Sequence, residues 1–140
     1  MLEFEPLSDK NLRLLDRFLT SLGTGADTFR YFSKRPVEVV LGHLYAVILL
    51  KDQVPIAYGH LEREGSDLWL GVAVSEAYQG NGFGKKMVNH LLEHAKSANE
   101  TSVTITVDKV NFKAIQLYEM LGFIRIAEKE HFYKCNYRLK

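Results

Sequence analysis

The chain has 140 residues, 46 % of them hydrophobic and 25 % charged, and its 18 basic and 17 acidic side chains give a formal charge of +1. This length and composition predict a single globular domain, residues 1–140, and exclude a long disordered tail. The balanced charge supplies no overall field to attract nucleic acid or an anionic membrane, so neither is an expected partner.

Three features of the sequence favour a soluble, cytoplasmic protein. Cys135 is the single cysteine and cannot form an internal disulfide, which favours a reducing compartment. The longest apolar run, residues 44–50, is far shorter than the roughly 20 residues that cross a bilayer. Residues 1–10 lack the basic and then apolar pattern of a signal peptide.

The N-terminal segment predicts a strand followed by a helix. Residues 2–6 alternate apolar and acidic side chains, which is typical of a strand with one wet face. Ser8 is placed to cap a helix that Gly23 ends. The apolar face of this helix would consist of Leu12, Leu15, Phe18, Leu19 and Leu22.

An irregular segment then leads into a short helical stretch near residues 37–41 and an antiparallel meander. The meander has predicted strands at 44–51, 54–64 and 68–74. Asp52-Gln53 forms the first tight turn between them, and residues 65–67 form the second.

The second half of the chain alternates helices with strands. Helical spacing predicts a helix at 84–97 and another between Asn111 and Gly122, which are placed as its caps. Strands are predicted at 102–107, 123–127 and 132–139, the last two paired. A strand, a helix and a further strand imply a right-handed crossover and a locally parallel pair. We therefore predict an α/β fold with a mixed central sheet of about seven strands flanked by about four helices.

The stretch from Leu70 to Lys85 carries the strongest functional signal, because a strand ends there, a glycine-rich turn follows and an amphipathic helix begins. Glycines permit left-handed backbone angles and close approach of a ligand, and the free N–H groups of a helix N terminus favour phosphate. A glycine-rich turn can also be needed for steric reasons alone. Gly80, Gly82 and Gly84 match neither GxxxxGK[ST] nor GxGxxG, so a different pyrophosphate ligand is favoured.

The segment Gln79-Gly80-Asn81-Gly82-Phe83-Gly84 resembles the Q/R-x-x-G-x-G/A signature of the GNAT family of N-acetyltransferases. Members of this family use the signature to hold the pyrophosphate of acetyl-CoA. Residues 111–123 are similar to a second family segment, N-x-x-A-x-x-L-Y-x-x-x-G-F, in the right order and at the right distance. The resemblance covers residues 43–135 well and the first 40 residues loosely, and it implies a single-domain GNAT-like fold.

The resemblance also implies a role for each matching residue, with acetyl-CoA as co-substrate. The backbone of Val72, Ala73 and Val74 would pair with the pantetheine arm, and Asn111 would position it. Tyr118 would protonate the departing thiolate, although its spacing alone also fits a core aromatic beside Ala114 and Leu121. The pyrophosphate would be held by the Gln79 side chain and by the backbone N–H groups of Gly80, Asn81, Gly82, Phe83, Gly84 and Lys85.

The general base is left unassigned. Many members that acetylate protein N termini carry a glutamate on the strand before Asn111, whereas this chain has Thr106 there, with Asp108 just beyond. His60 and Glu62 share one face of the central strand. They are candidates to line the acceptor site, and the alternative is that both are ordinary residues of the sheet surface.

The cluster Thr28-Phe29-Arg30-Tyr31-Phe32 is a second candidate for the acceptor site. Its aromatic rings could stack on a sugar or base while Arg30 pairs with a phosphate or carboxylate, and Arg30 and Tyr31 are the residues we select. The alternative is that Phe29 and Phe32 anchor the loop to the sheet.

These observations predict direct transfer of the acetyl group of acetyl-CoA to a primary amine of a small molecule, such as an amino sugar or sugar nucleotide. The alternatives are a protein or peptide N-acetyltransferase and a non-catalytic acyl-CoA-binding module. His90 and His94 lie four residues apart but lack an obvious third ligand, so no metal is predicted. The resemblance allows a homodimer, although no interface is marked in the sequence.

Overall fold

A computed structural model describes residues 1–27 and 29–140, and its centre is a seven-stranded mixed sheet. The strands are β1 (Leu2–Pro6), β2 (Tyr45–Lys51), β3 (Val54–Glu64), β4 (Asp67–Val74), β5 (Ser102–Asp108), β6 (Ile124–Glu128) and β7 (Phe132–Arg138). The α-helices are α1 (Arg13–Thr20), α2 (Phe83–Ser97) and α3 (Phe112–Leu121).

The strand order is β1-β2-β3-β4-β5-β7-β6, and β4 and β5 form a parallel pair within a sheet whose other pairs are antiparallel. The predicted α/β class, the antiparallel meander, the parallel pair across α2 and the terminal pairing of β6 with β7 are all confirmed. The turn at Asp52-Gln53 is tight, with φ of 50° and 71°.

Helices cover both faces of the sheet and divide the core into two layers. On one face α2 and α3 bury the larger cluster, which includes Met87, Leu91 and Tyr118. On the other face α1 packs Leu15 and Phe18 against Tyr58 of β3 and neighbouring apolar residues. A Cβ atom at Gly59 would lie 2.6 Å from the Met87 sulfur, so α2 packs directly on the β3 backbone at this point.

The four predicted helical segments are all present, the stretch near 37–41 as a 3-10 turn over Val37–Gly42. Asn111 caps α3 as predicted, since its Oδ1 accepts a hydrogen bond from the Ala114 N–H at 3.3 Å. Gly122 ends that helix with φ of 109°, also as predicted.

The predicted N-cap of the first helix was wrong. The Ser8 hydroxyl accepts from the Lys10 N–H at 3.2 Å, and the Ser8 N–H donates to the Asn11 side chain at 2.7 Å. These local hydrogen bonds favour a turn and compete with helix formation, so α1 begins at Arg13. It also ends at Thr20, and Gly23, with φ of 61°, opens a 3-10 turn over Gly23–Asp27.

Within the part of the chain that the structure describes, no helix is both long enough and apolar enough to span a bilayer.

Candidate functional site

The parallel strands β4 and β5 diverge and open a cleft through the sheet. The described residues record one paired position between them, Trp69 opposite Thr104, although β4 continues to Val74 and β5 to Asp108. The cleft has a volume of about 1000 Å³ and is lined by both strands, by the segment after α1 and by the starts of α2 and α3. One edge of β4 thus faces open space, where an extended ligand can form main-chain hydrogen bonds.

The glycine-rich turn lies at one end of this cleft and leads into α2. Gly80 and Gly82 have φ of 81° and 82°, which side-chain-bearing residues rarely adopt, and Gly82 occupies the N-cap position. Apart from the adjoining residues of the chain, no heavy atom lies within 4 Å of the place where a Cβ would stand at either glycine. The first-turn N–H groups of α2 lack intrahelical acceptors. The turn therefore offers a bare backbone and the positive end of a helix dipole, which suit an anion.

Most of the predicted cofactor residues lie on the cleft wall. Those that line it are Val72, Ala73, Val74, Gln79, Gly80, Gly82, Phe83, Gly84, Lys85 and Asn111. Asn81 is outside this lining set, and its amide donates to the carbonyls of Tyr78 and Gln79, each at 3.2 Å. The Gln79 amide donates to the Val74 carbonyl at 3.2 Å, which ties the turn to the end of β4.

Tyr118 projects from α3 onto the opposite wall of the cleft, with 8 % of its surface exposed. Its ring packs against Phe123 at a centroid distance of 5.4 Å. Burial, followed by the nearby Cys135 thiol, raises the pKa of the Tyr118 phenol above its usual value. The hydroxyl therefore stays protonated at physiological pH and can donate a proton or a hydrogen bond. Tyr118 is therefore packed in the core and also lines the cleft, so the two interpretations do not exclude each other.

Tyr31 and Glu62 meet at the other end of the cleft, and His43, which is outside the lining set, contacts Tyr31 from behind. The Tyr31 hydroxyl donates to Glu62 Oε1 at 2.9 Å and lies 3.1 Å from His43 Nε2. Burial, followed by the hydrogen bond to Glu62, raises the pKa of Tyr31 to about 12. The Arg35 guanidinium stacks over the Tyr31 ring at 4.3 Å. Tyr31 and Glu62 both line the cleft.

His60 joins this cluster from β3 and is 3 % exposed, so the alternative of an ordinary surface residue was wrong. The Tyr58 hydroxyl lies 2.6 Å from His60 Nδ1, which leaves Nε2 directed at the neighbouring strand β4. Burial, followed by the charges of His43 and Arg35, lowers the pKa of His60 to about 3. His60 is therefore neutral at pH 7.

The His60 ring fits against β4 because its partner there is glycine. Gly71 is opposite His60 in the register, and a Cβ at Gly71 would lie 2.4 Å from His60 Nε2. We expect Gly71→Ala to lower the free energy of unfolding by about 1–3 kcal/mol, since a buried ring or the strand backbone has to shift. Urea denaturation measures this loss.

Gly42→Ala is the matched control for that substitution, because nothing lies within 4 Å of a Cβ at Gly42 and its φ is not positive. It should change the free energy of unfolding by less than about 0.5 kcal/mol. Equal losses of stability in the two alanine variants would show that the His60 ring does not prevent a side chain at Gly71.

Residues 29–32, which lead into and begin the 3-10 turn Tyr31–Ser33, combine anchoring and ion pairing. Phe29 and Phe32 pack on Tyr58, with ring centroids 5.8 Å and 5.5 Å away, as the anchoring interpretation predicts. The Arg30 guanidinium pairs with the Asp108 carboxylate at 3.2 Å, which joins the two walls of the cleft. Thr28, the first residue of the predicted cluster, lies outside the described residues.

His43 and Trp69 are cleft or cluster residues that the sequence analysis missed. The register of the β2–β3 hairpin is the feature that could have predicted the position of His43. Tyr45 is opposite Leu61, so a side chain two residues before Tyr45 falls near the end of β3. No local motif marks either residue.

Curated relatives match parts of the chain. Mycothiol acetyltransferase of Thermobispora bispora is 36 % identical over 70 residues, which are 47 % of this chain and 24 % of that protein. The [ribosomal protein bS18]-alanine N-acetyltransferase of Escherichia coli is 31 % identical over 64 residues, 46 % of this chain and 43 % of that protein. The matches therefore span less than half the length of these relatives.

Solved structures share the whole fold. The crystal structure of the ribosomal-protein-S18-alanine N-acetyltransferase from Escherichia coli has a TM-score of 0.77 at 18 % identity and covers 100 % of this chain and 95 % of its own. A putative acetyltransferase from Salmonella typhimurium, solved with its cofactor acetyl-CoA, has a TM-score of 0.80 at 14 % identity, with 100 % and 95 % coverage.

A family model matches residues 14–123, from α1 through the residue before β6. This range contains the glycine-rich turn, the diverging strands and Tyr118, which are the parts that build the cleft. The chain belongs to the acetyltransferase (GNAT) family.

Proposed function

We propose that the protein transfers the acetyl group of acetyl-CoA directly to a primary amine of a small molecule. The observation that carries this proposal is the cleft itself, where a bare helix N terminus, a free strand edge and a buried tyrosine follow one another. These three features suit, in turn, a pyrophosphate, an extended arm with amide groups and a leaving thiolate.

In this proposal the N–H groups of the turn and of the first turn of α2 hold the pyrophosphate. The Phe83 side chain is packed in the core, so it contributes its backbone rather than its ring. Val72, Ala73 and Val74 form main-chain hydrogen bonds with the pantetheine arm, as an added strand would. Asn111 caps α3 through its Oδ1 and lines the cleft, which leaves its amide N–H groups for the arm.

Acetyl-CoA supplies an acetyl group on a thioester, and the residues around it direct the transfer. The acceptor amine attacks in its neutral form, forms the new C–N bond and releases one proton to solvent, while the C–S bond breaks. A backbone N–H near Val72 stabilises the oxyanion that develops on the acetyl oxygen. The Tyr118 hydroxyl delivers its proton to the departing sulfur and regains one from solvent.

A small acceptor is favoured by the partly buried cluster of Tyr31, His60 and Glu62 at the far end of the cleft. The mycothiol acetyltransferase relative is named for a small molecule, and amino sugars or sugar nucleotides are the first compounds to test. A protein acceptor is the alternative that the bS18 relative supports. Thr106 faces the cleft where members that modify protein N termini carry glutamate, which weakens that alternative.

Calorimetric titration with acetyl-CoA tests the proposal, with ATP and NAD as controls. We expect saturable binding of acetyl-CoA alone, followed by release of free thiol when amino sugars are supplied. Absence of acetyl-CoA binding at high micromolar concentration would contradict the assignment of the cleft. Binding without thiol release for any amine, peptides included, would favour a non-catalytic acyl-CoA-binding module.

A further inference from the structure

One ion pair crosses the cleft where β4 and β5 have diverged. Both terminal nitrogens of the Arg30 guanidinium donate to the Asp108 carboxylate, at 3.2 to 3.3 Å. Asp108 is the last residue of β5. Arg30 lies between Phe29 and Phe32, and the packing of these two rings on Tyr58 fixes its segment to β3. The pair therefore links the two sides of the gap through side chains, beyond the point where main-chain pairing ends.

The ion pair lies on the face of the sheet that α1 covers. Val107, the residue before Asp108, is buried in the core beneath α2 and α3. Successive side chains along a strand point to opposite faces, so the Asp108 carboxylate points to the α1 face. Glu62, a candidate for the acceptor site, is on this same face, four residues after Tyr58 of the α1-side core. The pair thus closes the gap on the side from which an acceptor would reach the thioester.

The opposite face of the gap is closed by packing. A Cβ at Gly84, near the start of α2, would lie 3.8 Å from the Val74 side chain and 3.9 Å from the Leu117 side chain. The start of α2 therefore meets the end of β4 and the side of α3. Both helices also contribute to the larger core cluster, through residues such as Met87 and Tyr118. Separating them would disrupt that core.

The ion pair is the weaker of these two closures. The Arg30 and Asp108 side chains are 57 % and 26 % exposed. Exposed ion pairs change an equilibrium constant by at most about 5-fold, and a guanidinium that uses two nitrogens belongs to the stronger ones. Such a pair breaks and re-forms at little cost, whereas a packed core does not. We therefore expect the gap to open on the side of Arg30 and Asp108.

We propose that the Arg30–Asp108 ion pair is a latch that opens to admit the pantetheine arm of acetyl-CoA and re-forms across it. This assignment rests on the proposed function, which places the arm along β4 in the gap. Arg30 and Asp108 are positioning residues in this proposal, because they retain the arm and take no part in proton transfer. The pair forms both with and without the arm, so its strength cancels in the dissociation constant. It slows entry and exit of the arm by the same factor.

Parallel changes in two rate constants distinguish a latch from a direct contact with acetyl-CoA. The double variant Arg30→Gln/Asp108→Asn removes the pair without changing the net charge. We expect it to raise the association and dissociation rate constants together, by about 2- to 5-fold at low salt, with the dissociation constant within about 1.5-fold of the parent. In a direct contact with the anionic ligand, loss of Arg30 alone would instead weaken binding, and loss of Asp108 alone would strengthen it.

Stopped-flow fluorescence of the full protein with acetyl-CoA measures both rate constants. Trp69 is the single tryptophan and lines the cleft, so it is the probe. Line broadening of the acetyl methyl signal in ¹H NMR gives the dissociation rate if the fluorescence does not respond. Salt screens an exposed pair, so the difference between parent and double variant should shrink between about 50 mM and 0.5 M NaCl.

Arg63→Gln/Glu100→Gln is the matched control. It also removes an arginine–carboxylate pair without changing the net charge, and these side chains have comparable exposures of 45 % and 18 %. Neither residue is among the described residues that line the cleft. Both rate constants of this variant should stay within about 1.5-fold of the parent, since an exposed pair elsewhere adds little.

Three results would overturn the latch: equal rate constants in the parent and the double variant, a changed dissociation constant without parallel changes in the two rates, and the same acceleration in the control. The last would assign the effect to general loosening of the fold. Calorimetry separates this test from that of the proposed function. Absence of acetyl-CoA binding to the parent contradicts the proposed function and the latch with it, whereas normal binding with unaltered rate constants contradicts the latch alone.

Discussion

Replacement of Tyr118 by phenylalanine is expected to lower kcat for acetyl transfer about 100- to 10 000-fold, the range that a positioned general acid contributes. The change removes one oxygen from a buried ring and leaves its packing against Phe123 in place. The leaving thiolate then has no positioned proton donor. Because the pyrophosphate and pantetheine groups are held elsewhere, the dissociation constant of acetyl-CoA should change by less than about 3-fold. Thiol release and calorimetry measure the two quantities separately.

Tyr137→Phe is the matched control for this variant. Tyr137 also packs on Phe123, at a centroid distance of 5.3 Å, but it is not among the residues that line the cleft. Its loss of a hydroxyl should leave kcat within about 2-fold. A Tyr118→Phe enzyme that keeps its full kcat would exclude Tyr118 as the proton donor, and one that no longer binds acetyl-CoA would assign the hydroxyl to binding.

Acidification from pH 6.5 to pH 4.5 is expected to remove about 2 kcal/mol of stability through His60 alone. In the unfolded chain His60 titrates near pH 6.5, whereas burial lowers its pKa to about 3 in the folded protein. Between these values the unfolded state binds a proton that the folded state does not, so the free energy of unfolding falls by about 1.4 kcal/mol per pH unit as pH decreases. Well above pH 6.5 both states are neutral and the effect vanishes.

Urea denaturation of the parent protein and of His60→Gln at both pH values isolates this contribution from that of other titrating groups. The variant should lose about 2 kcal/mol less than the parent over the interval. His131→Gln is the control, since His131 has an exposed side chain, and it should follow the parent. Parallel losses in all three proteins would contradict the assignment. A direct titration of the His60 ring by NMR gives the same answer if the variant does not fold.

Local patterns were sufficient to predict most of the fold. Period-2 alternation located β1 to the residue, and the flanking turns did the same for β3. The glycine-rich turn located the start of α2 within one position. Asn111 and Gly122 were recognisable as caps because each acts on neighbours within a few residues. The prediction of Ser8 as an N-cap was wrong because Ser8 forms a local hydrogen bond with the Asn11 side chain. The helical spacing of the apolar residues does not reveal that competing bond.

The candidate site was predictable where a motif is continuous and not where it is assembled by long-range pairing. The turn from Gln79 to Lys85 is a contiguous segment, whereas the cluster of His43, His60 and Glu62 depends on the register of two strands and on a turn before them. Arg30 and Asp108 pair across 78 positions of sequence. Spacing along one element carries no information about such contacts, so Arg30 was expected to meet a ligand instead of Asp108.

The single paired position recorded between β4 and β5 makes the stability of the folded state depend on what occupies the cleft. Strands β1 to β4 and strands β5 to β7 form two half-sheets that share little main-chain hydrogen bonding at their junction. A metabolite that lies in the gap bridges both halves and binds the native state alone, so the population of folded molecules rises with its concentration by mass action. The steady-state abundance of this protein would then depend on the supply of its own co-substrate, which couples proteolytic turnover to metabolic state.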